Sequence, residues 1–94
     1  MKFRFTPKYT RDLAGLGTDE KEAVYDARNT VALALQGDVE NYHKHKIQEM
    51  QGFPGIWEGH IKQNLVFTFH YVHENSEKVC FFRRVGTHKI YKNP

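Results

Sequence analysis

Residues 55–88 read GIWEGHIKQNLVFTFHYVHENSEKVCFFRRVGTH, and most of a sheet can be read from them. Two apolar runs, Leu65–Val72 and Lys78–Val85, flank a polar turn around Glu74-Asn75-Ser76-Glu77. They are rich in Val, Phe and Tyr, which suit a pleated, half-buried surface, and each has the length of a strand. A third run, Ile56–Lys62, precedes them across the tight link Gln63-Asn64. Links this short join antiparallel neighbours, so the stretch predicts a meander. Its two ends carry His60, Arg84 and His88, cationic and proton-transferring side chains that such strands would bring to one surface. We read that surface as an active site.

Upstream, Tyr42–Glu49 also reads as a strand, ending in a turn at Gly52-Phe53-Pro54-Gly55. Before it, Ala23, Ala27, Val31 and Leu35, with Val24, Leu33 and Ala34, form an apolar stripe at helical spacing. That stripe predicts a helix over 19–36 packed on the sheet. Thr18 is its expected N-cap, Asp19, Glu20 and Glu22 favour the first turn, and Gly37-Asp38 ends it. A shorter helix over 7–16 starts at Thr6-Pro7, an N-cap followed by proline at the first helical position. Met1–Phe5 alternates Lys2 and Arg4 with Phe3 and Phe5, the period of a half-buried strand. The expectation is one α+β domain over residues 1–94: an N-terminal strand and two-helix hairpin packed on a mostly antiparallel twisted sheet.

Ninety-four residues support one small domain with a modest core. The single cysteine, Cys80, excludes an internal disulfide and a multi-cysteine zinc site. Within an apolar strand it reads as a small core residue, in keeping with a reducing compartment. No apolar run nears the ~20 residues of a membrane span, and nothing of signal-peptide type follows Met1. A soluble, cytoplasmic protein without membrane contact is expected.

The net charge of +3 is unevenly spread. Residues 1–41 hold six Lys/Arg against seven Asp/Glu, while residues 42–94 hold eight against four and all six histidines. A basic, histidine-rich half points to nucleic acid or an acidic protein as partner, and an ordinary solvated face is the alternative.

Metal-dependent nuclease chemistry gathers carboxylates around a cation. From Tyr42 onward the acids are only Glu49, Glu58, Glu74 and Glu77, with no cluster among them. His43 and His45 on one strand face, or His70 and His73 near a strand end, would still lack a clear third ligand. No metal and no cofactor are therefore expected. Metal-free RNA cleavage needs a base to deprotonate the 2′-hydroxyl, an acid for the leaving 5′-oxygen, and cations for the charge on phosphorus. Histidine suits both proton roles, and the planar fork of arginine suits the phosphate. His60, Arg84 and His88 are the right types, with Lys62 and Arg83 as added charge and Tyr91 as a ring that could stack on a base or anchor the tail. The same residues could equally be a surface histidine, a salt-bridge arginine and a hydrogen-bonded turn histidine.

Taken together, the opening strand with Thr-Pro-Lys-Tyr-Thr-Arg-Asp-Leu, then Gly55-Ile56-Trp57-Glu58-Gly59-His60-Ile61, then Arg84-Val85-Gly86-Thr87-His88 resemble the RelE/ParE toxin superfamily of type II toxin–antitoxin systems. The chain looks most like the YafQ-type mRNA interferase branch, and Arg-x-Gly-Thr-His is the most specific piece. The resemblance implies a RelE-like fold and a ribosome-dependent endoribonuclease that cuts mRNA in the A site, held by a cognate antitoxin. It places the catalytic groups at His60, Arg84 and His88, with an upstream histidine at His45 or His43. RNA contacts would fall to Lys44, Lys46, Lys62, Arg83, Lys89 and Tyr91. Where that branch has an acid four residues after the first histidine, this chain has Asn64. The alternatives are a ParE-like inhibitor of DNA gyrase that cuts no RNA, or an inactive toxin kept for antitoxin binding and autoregulation.

Overall fold

A computed structural model describes all residues, 1–94. Strands β1 (Lys2–Phe5), β2 (Gln48–Glu49), β3 (Trp57–Lys62), β4 (Leu65–Glu74) and β5 (Glu77–Gly86) form one sheet in the order β1-β5-β4-β3-β2. The β2–β5 portion is the antiparallel meander expected, and β1 lies parallel to β5, with Lys2 opposite Val79 and Phe5 opposite Phe82. Asn75 and Ser76, with φ of 50° and 66°, make the two-residue turn between β4 and β5. Positive φ at both positions matches the right-handed twist of the strands it joins.

Helices α1 (Pro7–Ala14), α2 (Thr18–Leu35) and α3 (Val39–Lys44) precede β2. Thr6 caps α1 as expected, its hydroxyl accepting from the Tyr9 amide at 3.1 Å. Thr18 does not cap α2. Gly17 occupies the N-cap and Thr18 is already helical, because the extended backbone at Gly17 completes the turn without a side-chain bond.

The larger correction concerns residues 42–49, expected as a strand. Asp38 does more than follow the end of α2: its carboxylate accepts from the Asn41 amide at 3.0 Å and starts α3. Past its cap His45 the chain turns out of that helix at Lys46, with φ 50°, where the Lys46 amide bonds the His43 carbonyl and the Ile47 amide bonds the Tyr42 carbonyl. This left-handed closure places buried Ile47 two residues past the cap. Only Gln48–Glu49 remain as strand, so His43 and His45 do not share a strand face.

The core lies between α2 and one face of the sheet. Val24, Val31, Ala34 and Leu35 meet Phe67, Phe69, Phe82 and Val85, with Tyr9 and Ile47 closing the sides. Gly59 is required here, since a Cβ would stand 2.3 Å from the Phe67 ring and 2.7 Å from the Ile47 side chain. Cys80 is fully buried and free, and burial pushes its thiol up to about 12, the state of an inert packing residue. No helix is long and apolar enough to cross a membrane.

α1 covers the part of the β5 edge that the short β1 leaves open. Thr6 donates from its amide to the Phe82 carbonyl and from its hydroxyl to the Arg83 carbonyl, and Asp12 accepts from the Val85 amide at 3.2 Å. An edge that would otherwise present unpaired backbone groups is thereby closed.

Candidate active site

The second face of the sheet carries the polar side chains. Paired residues project to the same side of a sheet, so the row Glu58–Thr68–Arg84 and the row His60–Val66–Gly86 share this face. A bulge adds to it. Phe69 pairs with Phe82 and Thr68 with Arg84, which leaves Arg83 as the extra residue in β5. Alternation would turn one of two consecutive arginines into the core. The bulge lets both point outward, where each contacts the C-terminal residues.

A 3₁₀ helix, His88–Lys92, lies over this face, started by Thr87, whose hydroxyl accepts from the Lys89 amide. Ile90 is its buried anchor above Gly86, where a Cβ would come within 3.2 Å of the isoleucine. The anchor brings His88 beside His60, with ring centroids 5.6 Å apart, and sets Tyr91 edge-on to His88 at 5.3 Å. The Tyr91 hydroxyl donates to Glu58 Oε1 at 2.8 Å, and the same oxygen lies 3.7 Å from His60 Nε2. His88 Nδ1 meets Asn64 Oδ1 at 3.1 Å. Asn64, at φ 59° in the turn after β3, therefore orients His88.

Electrostatics separates these groups. Burial lowers the His60 pKa below the ordinary imidazole value; Glu58 opposes this, while His88 and Lys46 add to the depression. Burial raises the Tyr91 hydroxyl well above the usual phenol range, reinforced by its bond to Glu58. His60 is thus held neutral at neutral pH, able to accept a proton, and Tyr91 stays a donor.

The other candidates fall elsewhere. His45 is 2% exposed, its Nδ1 on the His60 carbonyl at 2.8 Å and its Nε2 against the Thr30 hydroxyl at 2.8 Å. A carbonyl only accepts, so Nδ1 carries the hydrogen and both ring nitrogens are engaged inside the protein. Arg84 is gripped by Asp12 of α1, with Nε at 2.6 Å and Nη2 at 3.2 Å, and donates from Nη1 to the Asn93 carbonyl. The Asp12 hydrogen bond raises its pKa further. Two of its five N–H groups remain. Arg83 donates to the Pro94 carbonyl and to His70 Nδ1. Lys44, Lys46 and Lys89 are exposed, while Lys62 pairs with Glu20 at 3.4 Å. Nowhere do three His, Cys, Asp or Glu side chains converge as metal ligands would.

Two participants escaped the sequence reading, Glu58 and Asp12. Glu58 stands two residues before His60, so the period of a strand places it on the same face. Nothing local marks Asp12, whose partner is 72 residues away.

No family model and no curated protein sequence matches the chain. Solved structures do. The chain is similar to YafQ from E. coli strain BL21(DE3), at 13% identity and a TM-score of 0.70, with 96% of each chain covered. It is similar to a YoeB/ParE toxin from Agrobacterium tumefaciens at 16% identity and TM-score 0.67, covering 94% of this chain and 99% of that one. RelE in the RelB–RelE antitoxin–toxin complex of Methanococcus jannaschii gives 14% identity and TM-score 0.61, covering 96% and 95%. The fold is that of the RelE-like toxins.

Proposed function

We propose that the chain is the toxin of a type II toxin–antitoxin system and an endoribonuclease that cleaves mRNA in the ribosomal A site without a metal. The observation that carries this reading is the pairing of His60 and His88 at 5.6 Å, flanked by Glu58, Tyr91 and Asn64 on the open face of a RelE-like fold.

In this reading neutral His60 takes the proton of the 2′-hydroxyl, which attacks the adjacent phosphorus and forms a 2′,3′-cyclic phosphate as the bond to the 5′-oxygen breaks. His88, oriented by Asn64, donates a proton to that oxygen. Arg84 keeps two N–H groups for the phosphate, and Asp12 fixes the plane of its fork. His45 acts from behind the strand, by holding His60 in place. Lys44, Lys46, Lys89 and Arg83 supply positive charge toward mRNA and ribosomal RNA, and a cognate antitoxin covers the toxin until it is released.

Expression with and without the neighbouring antitoxin gene, followed by mapping of mRNA ends on translating ribosomes, tests the proposal. Cleavage lost in His88→Ala supports it. Inhibition of gyrase supercoiling with intact mRNA would identify a ParE-like inhibitor. Antitoxin binding with neither effect would identify an inactive toxin.

A further inference from the structure

A second concave site lies on the same face, outside the histidine cluster. It is a cleft of about 500 Å³ between the start of α1 and the C-terminal residues, walled by Lys8, Arg83, Arg84 and Lys92 with Phe53 and Ile56. No Asp or Glu side chain lines it. Arg84 is neutralised by Asp12, but Arg83 keeps Nη2 free, and Lys8 and Lys92 are exposed without an acidic side-chain partner. Three cations unpaired with any Asp or Glu thus converge on one cleft that also offers an apolar wall.

Phe53 is shared with a neighbouring cleft of about 490 Å³, whose lining includes Gln48, Glu49, Gln51, Glu58 and Tyr91. Glu58 and Tyr91 belong in turn to the histidine cluster. The two clefts therefore meet at Phe53, and the second borders the histidine cluster through Glu58 and Tyr91. Charge in the first cleft and an aromatic ring where the two meet are what a single nucleic-acid strand needs, positive charge for the backbone and a ring for a base.

We propose that this cleft is a backbone subsite for the single-stranded RNA that flanks the cleaved bond, with Lys8 and Lys92 on a phosphate and Phe53 beneath a neighbouring base. The subsite rests on the RNA-cleaving reading of the histidine cluster, and its test separates the two. The probe is a fluorescent 2′-O-methyl hexanucleotide, which lacks the attacking hydroxyl, titrated with the full chain across a salt series.

The double variant Lys8→Ala/Lys92→Ala should bind about tenfold more weakly at low salt, and its salt slope should be shallower by about 1.4, from two contacts at about 0.7 each. Lys21→Ala/Lys78→Ala, which removes equal charge elsewhere, should bind as the native chain does. Unchanged affinity and slope in the Lys8/Lys92 variant would overturn the subsite. Equal weakening in both double variants would overturn it too, as a diffuse field. A blunt RNA duplex that loses as much as the hexanucleotide would overturn the single-strand assignment. If the hexanucleotide responds as expected but ribosomal mRNA stays intact, the subsite stands and the nuclease reading falls.

Discussion

His45 and His60 exchange hydrogen bonds: the imidazole of His45 donates to the His60 carbonyl at 2.8 Å, and the His60 amide donates back to the His45 carbonyl at 2.7 Å. The exchange continues the β2–β3 pairing with a side chain where backbone register has ended, and it fixes the position of His60. His45→Ala should cost about 2–4 kcal/mol, the sum of a cavity and an orphaned carbonyl. His45→Asn, whose amide nitrogen can stand in for Nδ1, should recover part of it. Urea midpoints measure both, and an unchanged midpoint in His45→Ala would refute the positioning role.

The pH dependence of stability follows from His60 and His70. Burial lowers both in the folded chain, assisted at His70 by Arg83. The unfolded chain then binds more protons than the folded one as pH falls below about 6.5, so stability present above that value is lost through the folded pKa values. Melting temperature should drop between pH 7.5 and 5. His60→Gln and His70→Gln should each flatten the drop, and a parallel curve in both would refute the assignment.

Tyr91→Phe removes the donor to Glu58. Stability should fall by about 1–2 kcal/mol, the range for a bond to a charged group that is partly screened. The released carboxylate should also interact more strongly with His60 and raise its pKa. NMR titration of the His60 ring reports this directly, and no upward movement would mean that Glu58 does not tune the histidine.

Arg84→Ala breaks the two-point bond to Asp12. With both side chains about four-fifths shielded, the cost should be about 1–3 kcal/mol. Ribosomal cleavage by the folded variant should fall roughly 100-fold or more at every pH, because arginine does not titrate in the working range. A shift of the pH profile instead would place Arg84 in proton transfer.

Ser76→Gly tests the turn. Serine at φ 66° sits where glycine has no steric penalty, so the resulting Asn-Gly turn should stabilise the hairpin by about 1 kcal/mol. Thermal unfolding checks the sign.

Strands β3 to β5 were legible because period, length and short links agreed over residues 55–88. The helices α1 and α2 were legible from Thr6-Pro7 and the apolar stripe. Residues 42–49 misled because His43 and His45 stand two apart, the spacing of one strand face, while Asp38 and Lys46, which start and stop α3, look like ordinary loop residues. His60 and His88 were singled out by residue type, and their pairing depends on Ile90 seating the 3₁₀ helix. The outward turn of both arginines depends on a one-residue bulge, and the hold of Asp12 on Arg84 on tertiary docking of α1. None of these three leaves a local pattern.

The parallel pairing of β1 with β5 also sets the order of assembly. The hairpins within β3–β5 close short loops, whereas Phe5 must wait for Phe82, and Asp12 for Arg84. Contacts that close loops this long form slowly, and a growing chain cannot make them before β5 has left the ribosome. A growing chain that still lacks β5 therefore holds its N-terminal strand and α1 undocked, with Asp12 waiting for the arginine that it will grip.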